Sequence, residues 1–235
     1  MLSKKVLLTT CLAFVTLMFT IHNLVSNLND HKRYVFIDLG TNNGDSIKYF
    51  FDINPNYNES VEFLKGYGGK SNLKWEIYAV EANPFFNVTL KEKEAYYKSL
   101  GHRFYLYSQS AAWIRNEKLK FFLDTVNPGY NYWGSSLLEN HPDVIRSNKT
   151  EVIVNGIDVA DLLRRYNKKD EIILKVDIEG TEYQLLVHLI EQNVLKLVDV
   201  IAVEFHNNLV NEQNLLINRF NNFFKENNVK FVSWF

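Results

Sequence analysis

Ile172-Ile-Leu-Lys-Val-Asp-Ile-Glu-Gly-Thr-Glu-Tyr183 decides the fold class. An apolar run ends in two acids, Asp177 and Glu179, followed by Gly180 and a helical pattern. Such a run reads as a buried parallel strand. Ligands of open α/β sheets gather at the carboxyl ends of their strands. Alternation along a strand puts Asp177 and Glu179 on one face at that edge. The two acids either take part in chemistry there or cap the next helix by accepting its free N–H groups. The segment alone leaves both readings open.

Tyr34-Val-Phe-Ile-Asp-Leu-Gly-Thr-Asn-Asn-Gly44 repeats the pattern, with Asp38 near the strand end and a turn framed by Gly40 and Gly44. Glycine allows tight turning and close approach to a ligand. Asp45 onward starts a helix whose N-terminus points at that loop. The spacing is not G-x-G-x-x-G, and no Gly-Lys-Ser/Thr follows, which excludes a P-loop. A third strand, Trp75–Glu81, also ends in an acid, placed to accept both hydroxyls of a ribose. Glu81 lies roughly 40 residues beyond Gly40 where ~20 is usual, and an insertion over Asn54–Asn72 accounts for the excess.

Five segments occur in order: Ile37–Gly44, Ala79–Pro84, Gly134–Leu137, Gly156–Leu163 and Leu174–Glu182. Together they resemble the FkbM family of S-adenosylmethionine-dependent methyltransferases, many of which are O-methyltransferases, over about residues 34–206. The resemblance implies a Rossmann-like class I methyltransferase fold: α/β, with a mostly parallel central sheet flanked by helices. The implied cofactor is S-adenosyl-L-methionine, held by Asp38, Gly40, Thr41, Asn42, Asn43, Gly44, Glu81, Ala82 and Asn83. The adenine would lie at Ser110 and Ala111, where small residues leave room for a flat ring. The family usually has Ala where this chain has Thr41.

The 235-residue length suits one α/β domain. With 46% hydrophobic and 23% charged residues the chain is globular, and a net charge of −1 gives no basic footprint for nucleic acid. Four Trp, thirteen Tyr and seventeen Phe are spread through the strands, as core packing would have them.

Residues 1–5 carry Lys4 and Lys5, and residues 6–25 are nearly continuously apolar, close to the ~20 needed to span a bilayer. No A-x-A-like cleavage site follows, so the expectation is a signal-anchor helix rather than a cleaved leader. The lysines put the tail in the cytoplasm. The expected organisation is a type II membrane protein: tail 1–5, anchor 6–25, stem 26–33, and methyltransferase domain 34–235 facing the secretory lumen or exterior, or secreted if cleaved. The single cysteine, Cys11, lies in the apolar segment, so the domain has no disulfide or thiol chemistry. Asn58, Asn87 and Asn148 head glycosylation-type triplets, which an Asn-rich chain also produces by chance.

The remainder alternates. Pro84 starts a helix running through Ser99. A strand at Arg103–Ser108 leads into Ser110–Trp113. An extra strand spans Lys118–Asp124, with a turn at Asn127–Tyr130 and a loop at Asn131–Leu138 whose Trp133 suits stacking on a sugar face or merely covers the site. Then come a strand at Glu151–Val154, helices at Asp158–Tyr166 and Thr181–Gln192, a strand at Val198–His206, a helix at Asn211–Asn227 and a strand at Val229–Phe235. The seven-stranded sheet implied by the resemblance lacks one strand, so an edge is open or filled by Lys118–Asp124. Glu204 and His206 should share a face. His206, whose ordinary pKa is near neutral, joins Asp177 and Glu179 as candidates to orient or deprotonate an acceptor hydroxyl on a glycan or other small molecule. These carboxylates could hold Mg²⁺, though nothing in the spacing demands a metal. The rivals are an NAD(P)-dependent oxidoreductase and a non-catalytic glycan- or protein-binding descendant. Oligomeric state is not legible.

Overall fold

A computed structural model describes residues 18, 31–51, 64–69, 72–206 and 213–234. Contacts separate Tyr34–Phe235 as one compact unit from Met1–Arg33. The expected anchor and stem, and most of the Asn54–Asn72 insertion, lie outside the described residues. No helix among the described residues is long and apolar enough to cross a membrane.

The centre is a six-stranded, all-parallel sheet built from β1 (Tyr34–Leu39), β2 (Trp75–Glu81), β3 (Arg103–Ser108), β7 (Glu171–Val176), β8 (Val200–Val203) and β9 (Lys230–Ser233), in the order β3-β2-β1-β7-β8-β9. This is the doubly wound order, which reverses direction between β1 and β7 and opens a crevice there. The expected mostly parallel α/β sheet is therefore what forms.

Both faces of the inner strands are covered. On β1, Val35, Ile37 and Leu39 enter one core with Ile172, Leu174 and Val176 of β7, while Phe36 enters the opposite one with Ile173. That alternation explains the near-continuous apolar runs, since a strand buried on both sides has no polar face. Much of the aromatic content packs the second core: Phe36 stacks on Phe50 at 4.0 Å, and Trp75 meets Phe50 edge-on at 4.9 Å. Burying each such side chain contributes roughly 1.5–3 kcal/mol.

The helices are α1 (Asp45–Phe51), α2 (Asn87–Ser99), α3 (Pro142–Arg146), α4 (Val159–Leu163), α5 (Glu182–Glu191) and α6 (Gln213–Glu226). Pro84 starts a 3₁₀ turn that feeds α2, and Asn83 caps it by accepting from the Phe85 N–H.

Several boundaries depart from expectation. Ser110–Trp113 does not continue β3. Gln109 adopts a left-handed backbone (φ 49°), and the chain leaves the main sheet to form β4. With β5 (Lys118–Phe122) and β6 (Glu151–Asp158), it makes a separate three-stranded sheet in the order β4-β6-β5. The Lys118–Asp124 segment therefore fills no edge of the central sheet. β6 runs to Asp158, whose carboxylate then caps the short α4. β7 stops at Val176 and β8 at Val203, so strand alternation does not govern the acids beyond them.

Candidate active site

A cavity of about 540 Å³ opens at the carboxyl ends of β1, β2, β7 and β8, with β4 and the 130–137 loop completing its wall. Its volume is typical of a site for one drug-sized ligand. Of the expected cofactor residues, Gly40, Thr41, Asn42, Asn43, Glu81, Ala82, Asn83, Ser110 and Ala111 line it. Asp38 and Gly44 do not.

Asp38 is fully buried behind the loop. It pairs in register with Lys175 on the neighbouring strand. Its Oδ1 lies 3.4 Å from the Lys175 ammonium, and Oδ2 accepts from the Ser46 hydroxyl. Asp38 therefore supports the loop from below. Gly44 (φ 82°) turns the chain into α1 against Lys93 and Leu90. Gly40 (φ 77°) is needed for a reason beyond ligand approach. A Cβ there would overlap the Asp177 carbonyl oxygen, so glycine lets the β1 loop pack onto the β7 turn.

Glu81 is the hub of the glycine-loop side of the cavity. Its carboxylate accepts the Asn83 N–H on one oxygen and the Asn42 N–H on the other, both at 2.6 Å. Each oxygen keeps a lone pair for a further donor. Burial pushes its pKa up to about 7, against the pull of the two N–H donors and Lys175.

Asp177 and Glu179 both reach the cavity wall, but neither caps α5. No side chain caps that helix; the buried Glu182 carboxylate instead accepts the Ile178 and Gly180 N–H groups of the preceding turn at 3.0 Å. The capping alternative for the first two acids is thereby removed. Glu182, part of the motif but unassigned from sequence, is the positioning residue of the turn. Glu179 holds a left-handed backbone (φ 56°), and its carbonyl accepts from the Ser136 hydroxyl at 2.6 Å. Non-glycine residues hold such geometry only where surroundings impose it.

His206 does not line the cavity. Its Nδ1 lies 2.9 Å from Glu182 and its Nε2 3.1 Å from Glu179. A ring with a carboxylate at each nitrogen donates from both, which makes it an imidazolium. Burial would lower its pKa, but the two hydrogen bonds outweigh that and hold it at about 11. Its stabilising contribution is thus present below its ordinary value of 6.5 and lost only as pH rises through about 11. The expectation was that His206 could remove a proton; with a carboxylate at each ring nitrogen, it has no free lone pair with which to accept one.

Glu179 is equally committed. Besides His206 it faces His141 Nε2 at 3.4 Å. His141 accepts the Asp143 N–H on Nδ1, so its Nε2 carries the proton and donates to Glu179. Burial would raise the Glu179 pKa, but the two histidines hold it below the usual carboxylate value.

Two further carboxylates face the cavity, each with one cationic neighbour: Lys175 for Asp177 and, at 3.8 Å, His206 for Glu204. Asp177 contacts the Lys175 ammonium at 3.1 Å, and burial raises its pKa. Glu204, just past β8, also lines the cavity, and burial plus the nearby Asp177 charge push it up to about 7. Glu204 was visible in sequence as a strand-end acid, yet the neighbouring histidine drew the assignment. Lys175 lies in the same motif as Asp177, and its role depends on the tertiary fold. It donates to the Gly40 carbonyl at 2.7 Å and so ties the cofactor loop to Asp177.

Ligand atoms of Asp177, Glu179 and His206 lie within 4.8 Å of one another. They fit an ion-pair network better than a magnesium centre. Mg²⁺ prefers oxygen ligands, one of the three is a protonated imidazole, and the Lys175 ammonium already occupies Asp177. The buried Thr181 hydroxyl, by contrast, is in the wall and has no hydrogen-bond partner in the protein, as a ligand-facing group would be.

No curated protein and no solved structure matches this chain. A family model, the methyltransferase FkbM domain, matches residues 38–231, a span that contains the glycine loop, Glu81 and the whole acid cluster. The chain belongs to the FkbM methyltransferase family.

Proposed function

We propose that the protein is an S-adenosylmethionine-dependent O-methyltransferase acting on a hydroxyl of a glycan or other small acceptor. The observation that carries this reading is one cavity lined both by the glycine loop with Glu81 and by two further carboxylates, Asp177 and Glu204, at the neighbouring strand ends. The fit to the cofactor rests on Glu81, which keeps a free lone pair on each oxygen beside the wall, and on the unpartnered Thr181 hydroxyl.

Gly40–Asn43 would offer backbone to the amino-acid end, Glu81 would accept the ribose hydroxyls, and Ser110 and Ala111 would flank the ring. When bound, S-adenosylmethionine supplies an electrophilic methyl group whose C–S bond breaks as an acceptor oxygen takes it up, a displacement in which positioning provides much of the rate. One of the two carboxylates, Asp177 or Glu204, would take up the hydroxyl proton, and Glu204 is the one held at about 7. A carboxylate near neutral pKa suits that task at neutral pH. Glu179, His206 and Glu182 hold the turn that presents Asp177. The charge of His206 also steadies the site once both carboxylates are ionised.

The runner-up, a nicotinamide-dependent oxidoreductase, shares the sheet order but lacks the G-x-G-x-x-G loop. Calorimetric titration with S-adenosylmethionine and with NAD separates the two. Saturable binding of the first and none of the second is expected, and the reverse would overturn the proposal.

The apolar residues 6–25 support a further proposal: a membrane anchor with the domain on the luminal or exterior side. The expected result is retention in the pellet after carbonate extraction, with the domain shielded from added protease. A shortened soluble form would instead mean cleavage.

A further inference from the structure

The cavity is sized for one cofactor-like molecule, so an acceptor must reach it from the mouth. The mouth is aromatic. Tyr130 and Trp133 stack on each other with centroids 4.8 Å apart and planes 6° from parallel, yet remain 61% and 54% exposed. Aromatic surface is costly to leave in water, and these two rings are held outward rather than folded in.

The loop that carries them is built to hold that pose. The buried Asp124 accepts the Val126 and Asn127 N–H groups and the Asn127 amide. Ser135 donates to the Tyr132 carbonyl and accepts from the Asp124 N–H and the Asn83 amide. Asn131 and Tyr132 both adopt left-handed backbones. The loop also bridges the two halves of the site. The Asn131 carbonyl accepts from the Asn42 amide on the cofactor shelf at 3.0 Å, and the Ser136 hydroxyl donates to the Glu179 carbonyl beside the acids. A ligand lying on the Tyr130–Trp133 pair therefore sits between shelf and acids.

We propose that Tyr130 and Trp133 form the acceptor subsite, a platform for the C–H face of an uncharged sugar ring whose hydroxyl points toward Asp177 and Glu204. This deepens the methyl-transfer reading and rests on it for the reaction, though not for the binding. A sugar ring presents an apolar C–H face for stacking and hydroxyls at its rim. That is the pairing this mouth offers: flat aromatic surface outside, carboxylate acceptors inside. Charge selects further. Glu81, Asp177, Glu179 and Glu204 line the wall against Lys175, with His206 just behind, so a phosphorylated or carboxylated acceptor would meet net repulsion.

The test uses the full chain in detergent and a panel of neutral oligosaccharides, acidic oligosaccharides and planar phenols. Binding is measured by saturation-transfer NMR without cofactor, S-adenosylmethionine affinity by calorimetry, and transfer with a labelled methyl group. The variants are Trp133→Ala, Tyr130→Ala and Trp133→Phe. At least one neutral oligosaccharide should bind, with saturation strongest on its ring C–H protons. Either alanine change should weaken that binding, and raise KM, by about tenfold at little-changed kcat, with most of the loss restored in Trp133→Phe. Cofactor affinity should stay within about twofold. Three results would overturn the subsite: no neutral sugar bound by a protein that binds S-adenosylmethionine, preference for planar phenols, or loss of cofactor affinity in the alanine variants. Sugar binding that depends on Trp133 in a protein with no affinity for S-adenosylmethionine would instead keep the subsite and sink the methyl-transfer reading.

Discussion

Replacing Glu81 with glutamine is expected to weaken S-adenosylmethionine binding by roughly a hundredfold or more while leaving the protein folded. Two effects add. The ribose hydroxyls lose a charged acceptor, worth about 1.5–3 kcal/mol per charge-assisted hydrogen bond, and tenfold in affinity corresponds to about 1.4 kcal/mol. In addition, the Glu81 carboxylate receives the Asn42 N–H on one oxygen and the Asn83 N–H on the other. A glutamine turns one of those oxygens into an NH₂ group, which sets donor against donor and loosens either the glycine loop or the β2 turn. Calorimetry on a variant with unchanged circular dichroism gives the answer. Affinity within threefold of wild type would remove Glu81 from the cofactor site.

The second large effect is expected in turnover. Asp177→Asn and Glu204→Gln keep size and remove the proton acceptor, and methyl transfer should fall by ~10²-fold or more in at least one of them, with cofactor affinity nearly unchanged. The side effects differ. Asp177→Asn also strips a charge from the buried Lys175 and should lower the melting temperature by a few degrees. Glu204 faces the His206 imidazolium only at 3.8 Å, against 3.1 Å for Asp177 and Lys175, so its variant should lose less stability. The wild-type rate should climb with pH and level off above about 7, because a Glu204 carboxyl held at about 7 is protonated, and unable to accept, below that value. Glu204→Gln should erase that limb. Since His206 stays charged up to about 11, no rising limb near 6.5 should come from it. A profile titrating at 6.5 in both variants would restore the histidine as the base. Near-normal turnover in both would return the two acids to a structural role.

The doubly wound sheet was legible in the chain because parallel strands buried on both faces read as mostly apolar runs, broken only by single charges such as Asp38 and Lys175 that pair within the sheet. Ile172–Val176, Tyr34–Leu39 and Trp75–Glu81 all have that character, and each is followed by a polar turn where the ladder ends. The glycine loop and Glu81 at the cavity wall were legible for a related reason: glycine and a strand-end acid are local features of such a turn. The positions of Gly40 and Glu81 could therefore be read with no knowledge of what lies beside them.

Roles within the acid cluster could not be read that way, because a carboxylate's function depends on which partners surround it. Sequence spacing put His206 among the proton acceptors. Only the tertiary structure brings Glu179 and Glu182, from the turn after β7, to its two nitrogens and fixes it as a cation. The same packing sets Glu182 to brace the turn after β7, withdraws Asp38 behind the loop to neutralise Lys175, and leaves Asp177 and Glu204 facing the cavity. Left-handed backbone at Gln109 follows the end of β3, and β7 stops at Val176 ahead of the left-handed Glu179; no side-chain pattern announces such a turn in a residue other than glycine. Local periodicity thus determined where the strands and the crevice lie. Burial and charge pairing across residues far apart in the chain decided what each side chain in the crevice is able to do.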